Sequence, residues 1–193
     1  MLEKVLSNEE MLLNIKEDIR RRCESPNNFF GVGAYQHIES VANHAVELAK
    51  IYHADVEVCE IAGWLHDIAS ITDYNLYENH HIHGANIAEK ILKFYNYPED
   101  KIKLVKLCIL NHRGSILKEK TTKEEICVAD ADAISHYDTL PSLLYLAFVQ
   151  RKLNIQDGVE FVKNKLDRSY NKMSNQSKEY YKVKRELILS ILS

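Results

Sequence analysis

Glycine and proline are scarce in this chain of 193 residues, six and three in all, which leaves few turns and calls for long helices. Cysteine is sparse and scattered. Cys23, Cys59, Cys108 and Cys127 include no C-x-x-C pair, and the last three fall within apolar helical patterns as small buried hydrophobes. No apolar run approaches the ~20 residues that span a bilayer. The N-terminal stretch MLEKVLSNEEMLLNIKEDIRRRCE is charged throughout and has no signal-peptide core. A cytoplasmic, reduced protein without a membrane partner is expected. A basic excess is also missing: the formal net charge is −3, with no stripe of the kind that phosphate backbones require. Nucleic acid is therefore not an expected partner, although metals and a few local cations could hold a small anion.

What is present is globular, with 46% hydrophobic and 27% charged residues. The length suits a single domain, 1–193, with room for a core. Apolar periodicity predicts an all-α bundle of about eight helices. The first covers 1–22, with Val5, Leu12, Ile15 and Ile19 on one side. SPNNFFGVGAY (25–35) is a loop, followed by helices over 36–53 and 55–69, the second capped by Asp55. The polar SITDYNLYEN reads as a loop before a helix at 80–95; Pro98 opens another that runs to His112. GSILKEKTTK is a charged loop, 122–137 a helix, and Pro141 starts the next. Amphipathic segments at 155–168 and 177–192 close the chain. The pattern of the last, with Tyr181, Leu187, Ile188 and Ile191, suits either capping of the domain or pairing in a homodimer.

Several helices aim polar donors inward. His37 is in register with Val41, Ala45 and Leu48, and His44 shares that face as a satisfied core histidine, whereas His53 falls off it. His66-Asp67 ends the apolar run EIAGWLHDIA, where a buried carboxylate needs a cation or metal as partner. In HHIHGANIAEKIL, His80 lies four places before the inward Gly84, so it ranks above His81, with His83 third. His112 follows Ile102, Val105 and Ile109 at helical spacing. Asp130 shares a face with Ile126, Ala129 and Ala133, while Asp132 and His136 point away from that stripe, which favours Asp130 as ligand. Imidazole plus carboxylate, without thiolate, is the donor set of a hydrolytic divalent metal.

As an ordered set these motifs resemble the HD superfamily of metal-dependent phosphohydrolases. His37 in HIESVANHAVELA, His66-Asp67 in AGWLHDIA and Asp130 in CVADADAI match its core motifs. His80 and the NHR at 111–113 match the extra histidine segments of its two-metal members. The resemblance covers about 36–137 and leaves 138–193 as a C-terminal helical extension. It implies a divalent ion on His37, His66, Asp67 and Asp130, and a second ion if His80 and His112 also bind, with Asp67 as bridge. His66 and Asp67 would be the catalytic pair. Mn, Fe, Co or Mg suits the set better than Zn. The implied substrate is a small phosphorylated metabolite or nucleotide. Arg113 is either a bidentate phosphate contact or a helix-end cation. Ile-Ala-Ser follows the His-Asp pair where many relatives have Ile-Gly-Lys, so a lysine is missing there. A nucleotide- or metal-sensing module without turnover is the rival reading.

Overall fold

The computed structural model describes residues 7–113 and 119–192; Val5 and part of the expected charged loop lie outside them. The described residues form α-helices with short 3-10 and π segments and no strands. The order is α1 (Asn8–Glu24), α2 (Gly33–Tyr52), α3 (Val56–Leu65), α4 (Ile68–Thr72), α5 (His80–Phe94), α6 (Glu99–Asn111), α7 (Lys123–Asp138), α8 (Leu140–Tyr145), α9 (Ile155–Lys172) and α10 (Asn175–Ile191). The short α4 and α8 account for the excess over the expected number. No described helix is long and apolar enough to cross a membrane.

Helix starts follow the capping chemistry of the sequence. Ser7 with Glu10 and Thr122 with Glu125 form reciprocal capping boxes; Asp55, Asn154 and Ser174 cap α3, α9 and α10. α1 buries Met11, Ile15, Ile19 and Cys23, a stripe one residue round from the expected one through Leu12. The expected loop after it is shorter, since α2 begins at Gly33. Asn28 pins this loop, its side-chain amide donating to the carbonyls of Cys23 and Gly31. His53 adopts the left-handed conformation (φ 54°) that ends α2.

α2, α3 and α7 form the centre of the bundle. Gly63 permits the contact of α3 with α2: a Cβ there would stand 2.7 Å from the Cα of Ala42. α7 is buried on all sides, from Cys127 to Tyr137 without a break. A helix enclosed all round carries no amphipathic stripe. A second core group joins Ile134 and Tyr137 of α7 to Leu143, Val162, Leu166 and Ile188, so α8, α9 and α10 wrap the C-terminal half of α7. On α10 Ile188 faces this core, while Tyr180, Val183, Leu187 and Ile191 are exposed.

Candidate metal centre

The predicted helix over 55–69 breaks at His66-Asp67. Asp67 leaves helical geometry (φ −108°, ψ 14°), so α3 ends and α4 begins around it. His66 is fully buried. Its Nδ1 lies 2.7 Å from the carbonyl of Gly63. A carbonyl only accepts, so the proton sits on Nδ1 and Nε2 carries a lone pair. That Nε2 is buried without a hydrogen-bond partner.

Two more histidines repeat the device. His80 Nδ1 donates to Tyr77 O at 2.8 Å and His112 Nδ1 to Ile109 O at 2.6 Å, each to the residue three places back. Both leave Nε2 bare, and these two nitrogens stand 3.2 Å apart. Two lone pairs at that distance repel unless a cation lies between them. Ligands about 2.0–2.1 Å from one ion stand about 3 Å from each other, so the spacing fits a shared metal. The backbone bonds that fix each ring are the usual support of metal-ligating histidine.

The donors form two groups, each with ligand atoms within 4.8 Å of one another: His37, His66 and Asp132, and Asp67, His80 and His112. Either group could hold an ion. Asp67 faces both, with Oδ1 3.5 Å from His80 Nε2 and Oδ2 3.5 Å from His66 Nε2. His37 Nε2 lies 3.2 Å from Asp132 Oδ1, and the ring of His136 is 4.6 Å from that of His37. His81 is buried next to His80 with ring centres 5.9 Å apart, but neither it nor His83 is in a group.

Asp130 is a correction. Its carboxylate accepts from the backbone N–H of Ser174 at 2.9 Å, from the Ser174 hydroxyl, and from the Ser177 hydroxyl at 2.7 Å, so it anchors the start of α10. Asp132, expected to point away, takes the place beside His37 and His66. Two residues are about 200° of helical turn, so the two aspartates face opposite sides of α7. Both are buried, at 1% and 6% exposure. His136 is buried with them and bonds Ser169 Oγ at 3.3 Å. The other assignments stand together in space: His37, His66, Asp67, His80 and His112 converge, and Arg113 borders them.

Charge follows burial. Desolvation depresses His66, His112 and His136 below the ordinary imidazole range, and His66 and His80 add to the effect at His112. Neutral imidazoles are the form that binds metal. Burial opposes ionisation of Asp67, but His66, His80, His112 and His37 together hold its carboxyl below the usual range. Burial likewise opposes the charge of Asp132, and Lys172, His136 and His37 outweigh it. The Lys172 ammonium bonds Asp132 Oδ2 and donates to the carbonyl of His112 at 3.1 Å, tying the two groups together.

A cavity of about 280 Å³ opens on both groups. Phe30 and Tyr77 line part of it, and Lys165, Arg168 and Lys172 of α9 another part. Arg113 also lines it, with its guanidinium donating to the carbonyl of Glu78. The expected loop before α5 holds a 3-10 helix, Tyr74–Asn79. Three residues per turn bring Tyr74, Tyr77 and His80 into line, and their rings stack at 10° and 15°. Sequence reasoning missed Asp132 and the α9 cations; the latter had a signal in their spacing.

A family model for the HD domain matches residues 34–137. Ribonuclease Y of Mycoplasma capricolum is 38% identical over 104 residues, which are 50% of this chain and 18% of that protein. Ribonuclease Y of Enterococcus faecalis is 33% identical over the same length and coverage. The chain thus spans less than a fifth of these curated relatives. Among solved structures, Bacillus subtilis YpgQ superposes with a TM-score of 0.71 at 15% identity, covering 97% of this chain and 94% of that one. The same protein in complex with ADP gives 0.71 at 16% identity over the same coverage. A predicted HD superfamily hydrolase from an uncultured Thermotogales bacterium gives 0.57 at 18% identity, covering 86% and 88%. These structural likenesses establish the fold.

Proposed function

This chain belongs to the HD domain family, and from that premise we propose that it is a metal-dependent phosphohydrolase acting on a small phosphorylated substrate, a nucleotide in our reading. The observation that carries this is the carboxylate of Asp67, which turns one oxygen to each of two donor groups where the cavity meets them. His37, His66 and Asp132 would hold one divalent ion. His80 and His112 would hold a second, with Asp67 shared. The nitrogen and oxygen donors favour Mn, Fe, Co or Mg over Zn. Such ions, when bound, lower the pKa of the attacking water and polarise a phosphoryl oxygen. The protein's own part is positional. Backbone carbonyls of Gly63, Tyr77 and Ile109 fix the three imidazoles, Lys172 balances Asp132, and Arg113 is placed to meet phosphate.

The nucleotide is supported by the ADP complex of a protein with this fold and by Phe30, an aromatic ring in the cavity wall on which a base can stack. The ribonuclease relatives favour a second reading, cleavage of a phosphodiester in RNA. Against it stands a small cavity walled by α9, in a chain whose formal net charge is −3.

The test is product release with each candidate metal added to the purified chain: phosphate or pyrophosphate from a panel of nucleotides, and shortened fragments from a short RNA. Asp67→Ala should abolish release from the preferred substrate while the variant stays folded. Turnover that survives this change overturns the assignment, as does nucleotide binding with no release by the native chain, which is the behaviour of a sensor.

A further inference from the structure

α9 carries Lys165, Arg168 and Lys172 at i, i+3 and i+7, positions that share one helical face. All three line the cavity, together with Arg113. These four cations meet only two lining carboxylates, Asp67 and Asp132, in a chain whose formal charge is −3. Lys172 is taken by Asp132. Among the described residues Lys165 and Arg168 form no ion pair; Asp167, their neighbour, turns to Arg185. Like charges one turn apart on a helix cost stability. The fold gains nothing from this row unless an anion covers it.

The length of the row says which anion. From Lys172 to Lys165 the helix rises about 10 Å, at about 1.5 Å per residue. A lone phosphoryl group held beside Asp132 and Lys172 would not cover the whole row, because Arg168 and Lys165 are rooted one and two turns further along α9. We propose that this face of α9 is a polyphosphate subsite: it takes the phosphate chain of a substrate with two or more linked phosphates. The reacting phosphoryl group lies at the donor groups near Lys172, and the rest of the chain runs along Arg168 to Lys165. Guanidinium forks and ammonium groups are the usual partners of phosphate oxygens. The identity of the reacting end rests on the phosphohydrolase reading, while the anion site can be tested without turnover. The family match stops at residue 137, so α9 lies beyond it.

The experiment is calorimetric titration of the full chain with inorganic tripolyphosphate and with orthophosphate, for the native protein and for K165Q/R168Q. The native chain should bind tripolyphosphate about tenfold more tightly than orthophosphate or better, a difference of roughly 1.4 kcal/mol. K165Q/R168Q should lose about that factor for tripolyphosphate, keep its orthophosphate affinity and metal content, and melt at the native temperature or above it, since the like-charge repulsion is gone. Tripolyphosphate affinity unchanged in a folded, metal-replete variant overturns the subsite. Should the variant not fold, amine acetylation of the native chain decides. Tripolyphosphate should protect Lys165 relative to the exposed Lys182, and absence of protection overturns the proposal. Subsite and hydrolase fail separately. Tripolyphosphate binding that depends on Lys165 and Arg168, without phosphate release from any nucleotide, keeps the subsite and removes the enzyme. Turnover together with an affinity indifferent to the two substitutions does the reverse.

Discussion

The Nε2 atoms of His80 and His112 stand 3.2 Å apart, although Nδ1 of each ring already donates to a backbone carbonyl. Neither ring can turn a proton toward the other without giving up its backbone bond or taking on a charge that burial opposes at His112. A divalent ion removes the conflict. Protein purified without added metal should carry near two equivalents, and His112→Ala should carry about one or fewer by elemental analysis. A single equivalent that ignores His112→Ala would confine binding to the group of His37, His66 and Asp132. Added metal should also raise the melting temperature, by about 2.7 kcal/mol of stability at a hundred times its Kd.

The metal-free protein should lose stability on mild acidification. Burial lowers the folded-state pKa of His66, His112 and His136 relative to the unfolded chain. The unfolded state therefore binds more protons as pH falls below about 6.5, the ordinary imidazole value. The stabilisation is fully present above that pH and drains as pH falls toward the depressed folded values. Denaturant melts of chelated protein between pH 7.5 and 5 should show a slope of at most about 1.4 kcal/mol per pH unit for each such group. A flat profile would mean that these imidazoles do not stay neutral in the fold.

Asp130 and Asp132 should separate cleanly. Asp130 accepts three hydrogen bonds from Ser174 and Ser177, so Asp130→Ala should cost about 2 kcal/mol in stability while metal content is kept. Asp132→Ala should lose the ion held with His37 and His66. Loss of metal from Asp130→Ala at full occupancy of Asp132→Ala would reverse the assignment.

These two residues also mark how far the sequence could be read. His37, His80 and His112 were legible because α2, α5 and α6 each have a wet side, so apolar spacing reveals the inner one. α3 has no exposed residue, and His66-Asp67 was legible as a polar pair closing an apolar run. α7 has none: Ala129, Ala131 and Ala133 are all buried, and alternating Ala-Asp gives no preferred face. Which aspartate turns to which neighbour is decided by α10 and α9, tertiary partners that the local pattern of α7 does not encode. The 3-10 helix at Tyr74–Asn79 was hidden for a related reason, since its polar and aromatic residues read as a turn until the rings are seen to stack.

Arg113 lines the cavity and is tied by its guanidinium to the carbonyl of Glu78. That tether holds a cation on the cavity wall just beyond the end of α6. Arg113→Ala should raise KM about tenfold, the equivalent of 1.4 kcal/mol, with a much smaller change in kcat. A fall in melting temperature with KM unchanged would make Arg113 a structural tie between α6 and the 3-10 helix.

Gly63 joins packing to chemistry in one residue. Its missing side chain lets α3 approach α2, and its carbonyl holds the proton-bearing nitrogen of His66. A methyl group placed there would meet the backbone of Ala42, at 2.7 Å from Cα and 3.1 Å from N, and backbone cannot swing aside as a flexible side chain can. Gly63→Ala should therefore destabilise by about 1–3 kcal/mol through overpacking. In a chain of this size each kcal/mol lowers the melting temperature by about 2–4 °C. The separation of α3 from α2 also shifts His66 against His37, so metal affinity should fall by about tenfold or more, the scale on which the supports of metal ligands act. Metal affinity that stays native in a destabilised Gly63→Ala would show that α3 can move as a unit without disturbing the donors, and that the fit of α3 against α2 does not set the geometry of the site.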